Sequence, residues 1–402
     1  MGLAIFIRSL EVFSISVNSF MIWIFWLSAF AFATPLLLYP AAVFLLSRFR
    51  NHQVPGTATP TATLVISAFN EEDVIGQKLE NSLALDYPHE LAEILVISDG
   101  SEDRTDEIVA GFTDPRVRLC RQEPRLGKSA GLSRFCPTAR GEILVFTDAN
   151  SMFQPDALAK LLRHFDDPQV GYSVGRQRYT DGEQSSSSDS ENLYWSMELL
   201  MKAWESRLSS VVGADGAIYA LRREFFEPLS AEDINDFLLP LKVVAKGYRG
   251  VFDPEAVCFE DAAPDFRGEF RRKRRIVNRS MRAVLKVPAT LNPFRVGWFA
   301  PQLLAHKVLR WLCPIFLLLM LVSAAILAAN EVKRGDVGWT YTVLSLLQLL
   351  GYGLASLYVI PGFRRVRLVY VAYYFLLVNV ASAMGLLLLA SGRAIGVWKP
   401  ER

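Results

Sequence analysis

The chain has 402 residues, 51% of them hydrophobic, and a formal net charge of +2. Its mean hydropathy is positive, which argues against a wholly soluble protein and makes a membrane protein the first expectation. Cys120, Cys136, Cys258 and Cys313 form no CxxC pair, so neither a zinc site nor a disulfide framework is indicated, and reduced cytoplasmic thiols fit.

In chain order, the first element is an apolar run from Ser19 that meets no charge before Arg48. It exceeds the about 20 residues that a bilayer crossing needs. It is too long for a removable signal and lacks a clear small-residue cleavage site. Residues 1–50 are therefore expected to be an N-terminal segment with a span at 20–47.

A polar stretch follows, 51–290, long enough to bury its own core. Within it "ATLVISAFN" reads as a buried strand, "EEDVIGQKLENSLAL" as a helix and "EILVISDGS" as a strand. "DRTDEIVAGF" reads as a helix and, after a loop, "EILVFTDAN" as a strand. This alternation predicts an α/β domain with a mainly parallel sheet and crossover helices. In such sheets the ligand crevice lies beyond the carboxyl ends of the strands. Asn70 and Glu71, Asp99, and Asp148 end three of them. Any one is as readily a turn former or a helix cap. Three together, with no histidine or cysteine beside them, suit a hard cation, Mg²⁺ or Mn²⁺, bridging a diphosphate.

Further on, "DGEQSSSSDS" (181–190) reads as a polar loop and "ENLYWSMELLMKAWESRLSS" after it as a helix. Trp195 and Trp204 are read there as packing residues. A basic run extends from Arg267 to Lys286. With Arg48 and Arg50 after the first span, it places the polar domain in the cytoplasm by the positive-inside rule. A belt facing anionic lipid accounts for the run better than nucleic acid does. Three apolar stretches close the chain, at 309–329, 338–360 and 369–390, so residues 291–402 are expected to hold an interfacial helix, three spans and a short tail. With three full crossings the tail "GVWKPER" lies outside; otherwise one stretch is re-entrant.

Over roughly residues 60–290 these motifs resemble the membrane-bound family 2 glycosyltransferases of the GT-A fold, the branch of cellulose, hyaluronan and poly-N-acetylglucosamine synthases. "ISAFNEE" resembles the family's P-A-x-N-E, "ISDGSEDRT" its D-D-G-S-x-D-x-T, "RLGKSAGLS" its G-K-x-x-A-L-N and "FTDAN" its D-x-D. "GADGAIYALRREFF" is similar to the acceptor-side segment and "AEDINDFLLPLKVVAKGYR" to the stretch with the catalytic base.

The resemblance implies roles residue by residue. Phe69 would lie against the base, and Asp99 would accept a hydrogen bond from a ring N3–H, which uracil has and cytosine lacks; hence a UDP-sugar donor. Ser67, where the family has proline, and Glu71 join this nucleotide-sugar set, with Lys128 near the phosphates. Asp148 would hold Mg²⁺ or Mn²⁺. Asn150 replaces a second carboxylate, so weaker metal affinity with activity retained is expected. Among Glu232, Asp233 and Asp236, Asp236 stands at the family's distance before a Gly-aromatic pair, here Gly247-Tyr248. It would be the base of an inverting displacement.

"RGEFRRKRRIVNRSMR" departs from Q-x-x-R-W: Arg272 sits at the glutamine, Arg275 at the arginine and Ile276 at the tryptophan. Arg275, with Arg272, would pair with the leaving diphosphate. The lost indole favours an inverting UDP-sugar hexosyltransferase acting on a membrane lipid or glycan acceptor over a processive polysaccharide synthase. The expected setting is the plasma (inner) membrane, with a second copy or an export partner admitted and no nucleic acid. The rival from another class is a silent membrane scaffold, supported by Ser67, Ser98 and Asn150 at altered motif positions.

Overall fold

A computed structural model describes residues 2–50, 56–179, 188–260, 266–334 and 339–395. It resolves into two compact units, one of Ala42–Leu304 with the residues from Gly385 onward, the other of the residues up to Ala41 with Ala305–Met384. The polar loop at 181–187 and the last seven residues, 396–402, lie outside the described residues.

The first unit is built on eight strands: β1 Ala62–Ala68, β2 Ala92–Ser98, β3 Val117–Arg121, β4 Ile143–Asp148, β5 Met152–Phe153, β6 Val170–Tyr179, β7 Tyr219–Arg222 and β8 Arg249–Glu260. Their order in one sheet is β3-β2-β1-β4-β7-β6-β8-β5. β1 is parallel to both β2 and β4, and β2 is parallel to β3. β7 runs antiparallel to β4 and β6. The fold is therefore the mixed, mainly parallel α/β sheet expected. β1, β2 and β4 are buried nearly throughout, as strands covered by helices on both faces must be. The chain order reverses between β1 and β4, and the crevice of such a sheet opens at that switch point.

Two expected boundaries move. β1 stops at Ala68 because Asn70 takes φ +52°, a left-handed turn conformation that asparagine tolerates. The next helix starts only at Ile75, since the Glu71 carbonyl first closes a turn on the Val74 and Ile75 amides at 3.0 and 2.9 Å. That helix, Ile75–Leu83, buries Ile75, Lys78, Leu79 and Ser82, one face at helical spacing with a lysine on it.

In the second unit, four helices are long and apolar enough to cross a membrane: Asn18–Ser47, Phe299–Lys333, Thr340–Val359 and Arg367–Ala390. The first and last of these, and the second, run past the edges of the compact unit. Each of the first two contains a π-helical turn, Thr34–Leu38 and Leu304–Val308. Pro35 has no N–H to give to the regular ladder at the first of them.

Candidate active site

The loops after β1 and β2 are sewn together. The Asn70 side chain accepts from the Glu102 amide at 2.8 Å, the Asn70 amide donates to Ser101 Oγ at 3.2 Å, and the Glu71 amide donates to Thr105 Oγ1 at 2.8 Å. Asn70 and Glu71 thus have architectural work at this end of the crevice. Asp99, 6% exposed, is equally engaged. Its Oδ1 accepts from Gln122 Nε2 at 2.5 Å, Leu126 N at 3.0 Å and Gly127 N at 3.1 Å, and its Oδ2 accepts from Gly127 N at 2.9 Å. These bonds fix the 125–127 loop, from which the Arg125 guanidinium lies 3.3 Å above the centre of the Phe69 ring.

At the mouth of β4 the picture changes. Ser67 on β1 is in register with Asp148 on β4. Lys128, which opens the helix Lys128–Phe135 after Gly127 at φ +95°, donates to Asp148 Oδ1 at 2.5 Å. Burial lowers the Lys128 ammonium, but Asp148 and Asp236 outweigh it and leave it raised. Asp236 sits in the first turn of the helix Asn235–Ala245, which Gly247 terminates at φ +91°, as a C-cap glycine does. Its Oδ1 is buried and, among the described residues, has no hydrogen-bond partner. Burial pushes the Asp236 carboxyl up to about 6, helped by Asp215 and Asp148 and opposed by Lys128 and Arg275.

Gly216 separates the two carboxylates. A Cβ there would lie 3.0 Å from Asp236 Oδ2 and 3.9 Å from Asp148 Oδ2, so the missing side chain keeps the gap open. Arg275 lies near enough for Asp236 and Asp148 to act on its charge: burial lowers its guanidinium to about 10, with Arg279 adding and Asp236 opposing. It therefore stays charged at neutral pH. Arg272 is turned to its own helix and sheet, donating to Glu269 at 2.8 Å and Tyr179 OH at 3.4 Å. Asn150 is exposed.

Three residues here escaped sequence reasoning. Glu260 ends β8 and accepts from Ser151 Oγ and Gln177 Nε2; burial, with Asp148 and Asp215 nearby, lifts it to about 7. Asp253 and Glu255 break the apolar run of β8 ahead of it, so the sequence carried no clear signal for it. Asp215 lies 3.5 Å from Lys202 and acts on both Asp236 and Glu260. Lys78 is fully buried; burial pulls its ammonium down to about 8 against Cys258, Asp148 and Glu260. Its place on an apolar helical face was legible. Asp148, Asp215, Asp236 and Glu260 are offset by Lys128, Lys202, Lys78 and Arg275, and Asp148, half-exposed at the strand end, is the carboxylate placed to meet a cation. Among the described residues no three of His, Cys, Asp and Glu are set to hold one alone. An ion beside Asp148 would take its remaining oxygens from a diphosphate and water.

The flanking residues resolve differently. Asp233 faces away from the gap: it is buried, bonded to Lys286 and to the Ser230 amide at 2.8 Å. Trp204 packs on Phe44, ring centres 5.0 Å apart. The basic run forms the helix Phe266–Lys286, and much of it is spent inside the protein. Arg279 donates to the carbonyls of Asp233 at 3.3 Å and Ile395 at 2.9 Å, and Arg282 to that of Gly392 at 3.0 Å.

Residues 63–229 match the family model described as Glycosyl transferase family 2. Over 242 residues the chain is 26% identical to the probable glycosyltransferase YdaM of Bacillus subtilis (strain 168), covering 56% of this chain and 57% of that protein. Over 184 residues it is 24% identical to the beta-monoglucosyldiacylglycerol synthase of Nostoc sp. (strain PCC 7120), covering 44% of this chain and 37% of that one. The chain thus spans under two thirds of the length of these curated relatives. The solved mannosyltransferase PcManGT of Pyrobaculum calidifontis shares the fold, with TM-score 0.65 and 21% identity over 93% of this chain and 99% of that one. The sheet order, the crevice at its switch point and the solved neighbour agree on a GT-A-like fold, and residues 63–229 within it match the family 2 glycosyltransferases.

Proposed function

We propose that this protein moves a hexose from a UDP-sugar to a membrane-associated lipid acceptor, inverting the anomeric configuration. The observation that carries the reading is the buried Asp236 carboxylate, whose Oδ1 has no hydrogen-bond partner among the described residues and whose Oδ2 borders the Gly216 gap with Asp148 Oδ2 on its other side. A carboxylate lifted to about 6 is deprotonated at neutral pH yet basic enough to take the proton of an acceptor hydroxyl as that oxygen attacks the anomeric carbon. Asp148 and Asn150 would hold Mg²⁺ or Mn²⁺, which supplies charge compensation for the departing nucleoside diphosphate. Arg275 and Lys128 add fixed positive charge on the same side. Phe69, Asp99, Ser67 and Glu71 border the nucleotide end, with Asp99 also holding the 125–127 loop.

The Nostoc relative is named as a synthase of a glucosylated diacylglycerol, which supports a lipid acceptor. The four apolar helices support an acceptor delivered from the bilayer. Arg48, Arg50 and the basic helix after the domain support a cytoplasmic catalytic unit at the inner membrane. Gly392 and Ile395, which follow the last apolar stretch, accept bonds from Arg282 and Arg279 of the helix after the catalytic domain, which supports the re-entrant alternative for one apolar stretch.

The test is transfer by the full chain, purified in detergent with native lipid. It would be offered UDP-sugars, and GDP-mannose because PcManGT was solved with GDP-Man and Mn²⁺, with mass spectrometry of the glycosylated species. A glycolipid formed from a UDP-sugar is expected. A repeating polymer would favour the processive reading, and nucleotide binding without any transfer the silent scaffold. Full activity in EDTA would remove the metal role of Asp148.

A further inference from the structure

Lys78 is 0% exposed on a helical face otherwise made of Ile75, Leu79 and Ser82. Burying an ammonium there costs several kcal/mol unless bonds repay it, and an apolar side chain would fill the space more cheaply. Its bonds are particular. Nζ donates to Thr147 Oγ1 at 3.1 Å and to the Ser151 carbonyl, and lies 4.3 Å from the centre of the Phe153 ring. Thr147 and Ser151 bracket Asp148 and Asn150 in the chain, and the Ser151 amide closes that turn on the Asp148 carbonyl at 3.2 Å. One helical turn along, Asn81 grips Phe153, two residues past Ser151, by both backbone groups: its Nδ2 donates to the Phe153 carbonyl at 2.9 Å and its Oδ1 accepts from the Phe153 amide at 2.8 Å. Ser151 Oγ bonds to Glu260 on the opposite side.

We infer that Lys78, assisted by Asn81, is a positioning residue: it clamps both ends of the Thr147–Ser151 turn so that Asp148 and Asn150 face a divalent cation together. This rests on the proposed metal role of that turn. Lys78 touches neither the cation nor substrate. A turn bearing one carboxylate and one amide has little charge with which to gather an ion, so its pre-set geometry carries more of the affinity than in a two-carboxylate site.

The charge and the clamp predict opposite effects, which makes the idea testable. Removing a nearby cation favours metal binding; loosening the turn opposes it. Mn²⁺ is titrated into the purified full chain in detergent, in the presence of UDP, and the free aquo-ion signal is followed by electron paramagnetic resonance. Lys78→Met, which keeps the stem and removes the donor, is expected to weaken Mn²⁺ binding about tenfold at unchanged UDP affinity measured without metal. Asn81→Ala, which removes the second grip without touching any charge, is expected to weaken it less, in the same direction. Thermal unfolding checks that each variant is folded. Unchanged or tighter Mn²⁺ binding in folded Lys78→Met overturns the clamp while leaving the metal role intact. No Mn²⁺ binding by the unmutated chain overturns both. If Lys78→Met does not fold, Asn81→Ala decides alone: unchanged Mn²⁺ affinity there overturns the inference.

Discussion

The two ends of the crevice differ in how their carboxylates are employed. Asp99, at the β2 end, accepts from three backbone or side-chain donors on neighbouring residues. Asp236, at the far end, leaves a buried oxygen with no partner among the described residues and is lifted to about 6. A buried carboxylate saturated by backbone amides organises a loop; one left short of donors is held ready for a ligand, because the missing bond leaves a desolvation cost that an incoming hydroxyl relieves. Asp99 follows a strand and Asp236 opens a helix, and neither position tells from sequence alone how many donors its carboxylate will meet.

The sharpest way to break this contrast is Asp236→Asn, which keeps size but cannot accept a proton. Transfer should fall by about 10² to 10⁴, with nucleotide affinity unchanged. Asp233→Asn is the control. Because Asp233 is bonded to Lys286 and Ser230 and not to the gap, this change should cost about 1–3 kcal/mol of stability by thermal or urea unfolding and leave the rate of the folded enzyme alone. The reverse pattern would move the base to Asp233.

Gly216→Ala tests the gap itself. The added Cβ meets Asp236 Oδ2 at 3.0 Å, so the base must tilt; a roughly 10- to 100-fold loss of kcat with little change in nucleotide binding is expected. Wild-type rate would mean that the acceptor does not pass between Asp148 and Asp236.

The pH profile of kcat/KM sharpens the same end. Because burial raises Asp236 to about 6, the base is protonated and silent below that pH. Activity should therefore drop about tenfold per unit on the acid side of it. An acid limb near the ordinary aspartate value would show that Asp236 is solvated when it works.

At the nucleotide end, Asp99→Asn replaces acceptors of the Leu126 and Gly127 amides with a group half donor. Nucleotide binding should weaken by about tenfold through the displaced 125–127 loop, with kcat nearly kept. The smallest effect is Asn150→Asp, which restores a carboxylate beside Asp148 and should lower the Mn²⁺ concentration for half-maximal activity by a few-fold. A higher requirement would place Asn150 away from the ion.

Sequence alone was sufficient for the parallel strands β1, β2 and β4, because strands buried on both faces must be apolar runs of fixed length, and for the polar residues that end them. It was sufficient too for the apolar helices, whose length follows from bilayer thickness, whereas the distance of Asp236 from Gly247 only nominated it as the base. It was silent on β6 and β8, where hydrophobic runs are broken by Arg176, Arg178, Asp253 and Glu255 whose partners come from distant segments, as Arg163 does for Asp253 at 2.8 Å. Only the tertiary structure could bring Glu260, Asp215 and Lys78 to the Asp148 turn, from β8, the segment before β7 and the helix after β1. It also assigned the arginines of the helix Phe266–Lys286. Sequence cannot distinguish a lipid-facing guanidinium from one bonded to the carbonyl of Ile395, because the bond is to backbone and leaves no trace in residue identity.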